Sequence, residues 1–395
     1  MALRDRFHRA LMTVGGVYMR VWPPAPVREI RRVVLLRPDG LGDVLMLTPA
    51  LARLRAALPD ASCTLEVGPW AMPVAQHGPE GFHIEAVAFP GMGRGPKPHP
   101  MRPYVDLWFE SQHLARGGYD AAVILRPDHW WGGSVAAVGR IPYILGFDTR
   151  DVRPALSEVV PFDPHMHSSR ANLVLIERLI AKATGQPTRP LPPDDATLAI
   201  QHPLVFRVPE AARTAATSLL RDVSPEAPLV AINPGTAAVK RWPLDRWARV
   251  ADALIAQYGA AVVLSGTRDE APLTAAVAAA MTRPALDLAG RTDFPTLGAV
   301  YERAALVLGP DCGSLHLAVA VGTPTVHLYG PADPAKFGPW GDPTRHVVLT
   351  ANRDDIPCLH CGDLSPERPA APPCMTALTE AHILAAAERL LGRRI

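Results

Sequence analysis

Three short stretches, each following an apolar run, hold the residues of this sequence best able to do chemistry. In RPDGLGD (37–43) a strand-like VVLL enters a glycine turn, and Asp43 stands where a helix should begin. A carboxylate there can take a proton from an attacking hydroxyl; it can also simply cap the helix. In NPGTAAVKRWP (233–243), Gly235 and Thr236 offer amides and a hydroxyl, Lys240 a compact positive charge and Arg241 a fork, with a helix starting near Pro243. Such a loop suits a diphosphate, and its plain alternative is a solvated turn. In GPDCGSLH (309–316), Asp311 and Gly313 close a strand, Ser314 is placed to cap the next helix and His316 lies in its first turn. Hydroxyl, ring and amides there favour an anion, and Asp311 suits ribose hydroxyls. A capping aspartate with a core histidine is the competing reading.

These stretches need a scaffold that puts strand ends at a ligand. Apolar runs at 31–37, 63–68, 119–126, 141–147, 227–235, 259–266, 304–313 and 323–330 alternate with helix-like segments, the pattern of parallel α/β layers. Helices are expected over about 42–58, 167–184, 243–258, 269–281 and 376–392. Proline-rich, aperiodic 185–210 marks a domain boundary. In open α/β sheets ligands bind beyond the carboxyl ends of strands, so 38–43, 234–241 and 310–316 are expected to converge on one cleft.

Bulk properties narrow the class. A chain of 395 residues with 48% hydrophobic and 20% charged residues is globular and long enough for two domains. Net charge of +2 creates no field arguing for nucleic acid. No apolar stretch approaches a membrane span, and the charged N-terminus lacks a signal-peptide core, so a cytoplasmic location is expected. Leu3, Phe7, Leu11, Val14 and Tyr18 recur at helical spacing among arginines; this segment either touches an anionic membrane peripherally or docks on protein. Five cysteines make no disulfide framework. Cys358, Cys361 and Cys374, with His360 between, could hold a structural Zn or Fe, but a second C-x₂-C is missing; otherwise they are buried thiols or a redox pair.

The stretches LLRPDGLGDVLMLTPALARLR, NPGTAAVKRWP and GPDCGSLHLAVAVGTPTVHLYGPADP together resemble glycosyltransferase family 9, the heptosyltransferases of the lipopolysaccharide inner core. The resemblance covers about 31–392. It implies a GT-B fold of two Rossmann-like domains facing each other across a cleft: an N-terminal extension (1–30), an acceptor domain (31–205), a donor domain (206–375) and a C-terminal helix (376–395) crossing back. It implies inverting transfer of a sugar, typically from ADP-heptose, to a saccharide or glycolipid, with Asp43 as base. It assigns Thr236 and Lys240 to the diphosphate and Asp311, Gly313 and His316 to the donor. Asp269 or Glu270 falls near an acidic residue touching the nucleoside. Pro38-Asp39-Gly40 and Cys312 depart from the family pattern, and acceptor-binding cations are not recognisable, although Lys97, Arg102 and Arg116 are available. The sequence has no D-x-D pair to hold a metal against the diphosphate, which agrees with metal-independent chemistry. Transfer from another nucleotide sugar, and a non-catalytic two-lobed binding protein, are the alternatives.

Overall fold

A computed structural model describes residues 27, 29–90, 99, 101–351, 356 and 371–392. The segment 1–22, Lys97, Cys358, His360 and Cys361 lie outside the described residues. Two units divide between Pro192 and Pro193, within the proline-rich stretch but ahead of the expected 205. Packing explains the shift. Trp340 Nε1 donates to the His202 carbonyl at 2.8 Å, and Phe206 meets Phe294 edge-on, which ties this segment to the second unit.

In the first unit, β1 (Arg32–Arg37), β2 (Ser62–Val67), β3 (Phe82–Ala86), β4 (Ala121–Ile124), β5 (Tyr143–Phe147) and β6 (Glu158–Val160) form a sheet ordered β3-β2-β1-β4-β5-β6. All its pairings are parallel. Val33 to Leu36 are wholly buried, as expected of a central strand covered on both faces. The helix expected over 42–58 is two, α1 (Leu41–Leu45) and α2 (Thr48–Ala57). Pro49 sits in the first turn of α2, where its missing N–H is harmless. In a continuous helix that N–H would have bonded the Leu45 carbonyl, which here accepts from the Thr48 hydroxyl at 2.7 Å. Further on come α3 (Arg102–Gly117), α4 (Trp130–Val138) and α5 (Ser168–Thr184).

The second unit repeats the plan. Strands β7 (Leu229–Ile232), β8 (Ala261–Leu264), β9 (Leu286–Asp287), β10 (Leu306–Pro310), β11 (Thr325–Tyr329) and β12 (His346–Thr350) are ordered β12-β11-β10-β7-β8-β9. Counted from its own first strand, this is the arrangement of the first sheet, and both are Rossmann-like. Its helices are α6 (Asp195–Gln201), α7 (Glu210–Leu219), α8 (Leu244–Tyr258), α9 (Ala271–Ala280), α10 (Phe294–Glu302), α11 (Gly313–Ala320) and α12 (Glu380–Leu391), besides single turns. The C-terminal helix contributes to the core of its own unit. Ile383 and Ala387 of α12 join the core around Trp242, Trp247 and Leu254, and Trp242 Nε1 donates to the Leu378 carbonyl at 3.0 Å.

Candidate active site

Each sheet reverses its order once, between β1 and β4 and between β7 and β10. At such a switch point adjacent loops diverge and leave a crevice at the strands' carboxyl ends. Asp43 follows β1, Thr236, Lys240 and Arg241 follow β7, and Asp311, Gly313, Ser314 and His316 follow β10, whereas Asp269 and Glu270 follow the neighbouring β8.

In the second unit, the Lys240 ammonium lies 2.8 Å from Asp311 Oδ2, with 16% and 10% of the two side chains exposed. His316 Nε2 is 3.7 Å from the other Asp311 oxygen, and the ring is buried. Thr236 donates its hydroxyl to the Asp311 carbonyl at 3.1 Å, and Arg241 Nε donates to the Thr236 carbonyl at 3.0 Å. Loops after β7 and β10 are thereby tied together. Burial acts most strongly on the Asp311 carboxyl and pushes its pKa up, but His316 and Lys240 together outweigh it and hold the group well below the ordinary range. Asp311 is thus ionised and paired with Lys240. The N-cap position of the helix behind it is Cys312, which makes no side-chain capping bond, and Ser314 lies inside the helix with its hydroxyl 3.1 Å from Cys312 Sγ. Burial pushes the Cys312 thiol up to about 11, so it stays neutral and unreactive. Gly313 and Ser314 open α11, where helix amides precede the first intrahelical bonds.

Of the two acidic residues after β8, Glu270 is the one brought to the site. Its carboxylate accepts from the amide and hydroxyl of Thr267 at 2.8 and 2.9 Å. A Cβ on Gly235 would lie 2.4 Å from Glu270 Cδ, so only glycine allows this approach. Asp269 is exposed.

In the first unit, Asp43 lies in the first turn of α1, and the N-cap residue is Gly40. The Asp43 side chain is 35% exposed, with Oδ1 3.7 Å from a guanidinium nitrogen of Arg37. Sequence reasoning missed what holds this loop. Arg37, buried at the end of β1, donates to the Leu125 carbonyl at 2.9 Å and to Asn172 Oδ1 at 3.2 Å. Asp39 sits between two cations, 2.8 Å from Arg37 Nε and 2.6 Å from Arg126 NH1. The departure at Asp39 therefore builds an ion-pair network under the turn that carries Asp43. His129 is buried nearby, with neither ring nitrogen hydrogen-bonded among the described residues; burial lowers its pKa to about 3. An R-x-D pattern with a second arginine after β4 was the available signal. Arg102 is paired with Asp106 at 2.7 Å and Arg116 is exposed. Of the three tail cysteines, Cys374 is buried in the second core.

Two Rossmann-like units, each with its polar residues at the switch point, define the GT-B class. The chain matches the family model for glycosyltransferase family 9 (heptosyltransferase) over residues 110–367. It belongs to that family of enzymes. Lipooligosaccharide heptosyltransferase 2 of Haemophilus ducreyi is 24% identical over 317 residues, 78% of this chain and 86% of the relative. Lipopolysaccharide heptosyltransferase 3 of Escherichia coli is 32% identical over 157 residues, 38% of this chain but only 43% of the relative's length. Among solved structures, the E. coli ADP-heptose lipopolysaccharide heptosyltransferase II is 20% identical, with TM-score 0.69 over 91% of this chain and 98% of that one; that likeness is one of fold.

Proposed function

We propose that the protein transfers heptose from ADP-heptose to a saccharide hydroxyl of a lipopolysaccharide core, with inversion at the anomeric carbon and without a catalytic metal. The observation that carries this reading is Lys240, held by Asp311 beside Thr236, His316 and the opening of α11 at the switch point of the second sheet. Cations and helix amides there suit a diphosphate whose negative charge grows as it leaves. Thr236, Lys240, Arg241, Gly313, Ser314 and His316 are the diphosphate residues, Glu270 is the nucleoside contact, and Asp311 orients Lys240. Asp43 is the base. The acceptor oxygen bonds to C1 from the face opposite the leaving group as the C1–O bond to phosphate breaks. The electron pair departs with ADP, and the hydroxyl proton passes to the Asp43 carboxylate.

A cytoplasmic site of action, with peripheral contact to the membrane that carries a glycolipid acceptor, belongs to the same proposal. Among the described residues no helix is long and apolar enough to cross a membrane. Along α3 and its N-cap, Met101, Val105, Trp108 and Phe109 are 55%, 47%, 57% and 68% exposed, an apolar stripe near Arg102 and Arg116 that supports such contact.

Calorimetry with ADP, UDP and GDP tests the donor. ADP should bind tightest, and a preference for UDP would transfer the assignment to another nucleotide sugar. Product analysis after incubation with ADP-heptose and core acceptors tests the reaction; donor binding without any transfer would favour a binding protein.

A further inference from the structure

We propose that the first unit holds a second, separate site, for a divalent transition-metal ion of the zinc type, bound by Glu66, Glu85 and His113 at the edge of its sheet. Nothing in the sugar-transfer chemistry uses these residues.

The placement follows from strand and helix periodicity. Glu66 on β2 and Glu85 on β3 are register partners in a parallel pair, so their carboxylates leave the same face side by side. Like charges directly opposite on a sheet repel. Over that face runs α3, on which Glu110 and His113 are spaced i, i+3 and so share one side. The result gathers three carboxylates and two imidazoles. His113 Nε2 lies 2.8 Å from Glu85 Oε2, and His83 Nε2 3.0 Å from Glu85 Oε1.

Glu66 is the observation that calls for a ligand. It is wholly buried, and neither carboxylate oxygen has a hydrogen-bond partner among the described residues. An ionised carboxylate in that state is strongly disfavoured unless a cation or a donor meets it. Either a proton stays on Glu66, or a cation offsets the charge.

One donor atom each from Glu66, Glu85 and His113 lie within 4.8 Å of one another. Ligand atoms on a tetrahedral zinc with ~2.0 Å bonds sit about 3.3 Å apart. His113 Nε2 already lies 2.8 Å from Glu85 Oε2, and its side chain, 53% exposed, has room to turn. One imidazole nitrogen with two carboxylates, leaving a fourth position for water, suits zinc and its transition-metal neighbours better than magnesium or calcium, which take all-oxygen shells. The ion would fasten the edge strand β3 to β2 and α3.

The test uses the full chain, stripped with chelator and dialysed, with Zn²⁺ alone as the probe. Calorimetry and elemental analysis should find that Glu66→Gln, which keeps the neutral shape, binds about one equivalent less than the parent. His113→Ala, at a half-exposed position that folding tolerates, should lose the same equivalent. The difference should persist when Cys358→Ser and Cys361→Ser silence the thiolate donors of the tail. Zinc should raise the melting temperature of the parent and leave that of both variants unmoved. Equal zinc content and equal thermal response in parent, Glu66→Gln and His113→Ala would overturn the proposal and leave Glu66 as a protonated core acid.

Discussion

Replacing Lys240 with methionine separates its structural role from its proposed ligand role. The substitution leaves the Asp311 carboxylate, 10% exposed, with His316 Nε2 at 3.7 Å and no ammonium. Removing one partner of a fully buried ion pair costs ~3–5 kcal/mol. Partial exposure and the remaining imidazole reduce this to about 2–3 kcal/mol of folding stability. Adding Asp311→Asn removes the uncompensated charge and should restore about 1–2 kcal/mol, read as a coupling energy in a double-mutant cycle by urea denaturation. Donor binding should behave differently. The ammonium is absent from both the single and the double variant, so ADP affinity falls about 10- to 150-fold in each, the worth of a charge-assisted hydrogen bond. A coupling energy near zero would refute the pairing, and wild-type ADP affinity in the double variant would refute Lys240 as a phosphate ligand.

Acid should destabilise the protein before its carboxylates titrate. The pKa values of His129 and His346 are lowered by burial to about 3 and about 4. Below the unfolded value of ~6.5 the unfolded chain therefore binds more protons, and each group removes up to about 1.4 kcal/mol per pH unit until its folded pKa is reached. Melting temperature followed from pH 7 to pH 5 should fall, and a flat profile would contradict neutral burial of these rings. Gly235→Ala places a Cβ 2.4 Å from Glu270 Cδ. It should displace that carboxylate from its cap on Thr267, cost about 1 kcal/mol and weaken ADP binding. Unchanged nucleotide affinity on calorimetry would remove Glu270 from the nucleoside contact.

Much of the fold was legible because central parallel strands are buried on both faces and read as unbroken apolar runs such as RVVLLR and LVAI. The strands that escaped, β3, β6, β9 and β12, are all at or next to sheet edges, where solvent permits a mixed composition: β3 is FHIEA, with none of its residues fully buried. The break between α1 and α2 was visible in Pro49, although the apolar stripe runs through it. Among site residues, Lys240, Asp311 and His316 could be grouped because each follows a strand. Their direct ion pairing could not, since it depends on β7 and β10 being neighbours across a long sequence separation. The same holds for Asp39, whose two arginines arrive from β1 and from the loop after β4. Glu66 looks in sequence like one polar residue in a strand, and its isolation appears only once β3 and α3 are in place.

Single-turnover transfer by Asp43→Asn, measured beside ADP affinity and stability, bears most directly on the proposed chemistry. With a 35% exposed side chain 3.7 Å from Arg37, the substitution should change stability by no more than about 1 kcal/mol. Nucleotide affinity should stay at the wild-type level. The transfer rate should fall about 10²- to 10⁴-fold, the contribution of a positioned base. A variant that transfers heptose at the wild-type rate would contradict the assignment of Asp43 as the group that takes the acceptor's proton.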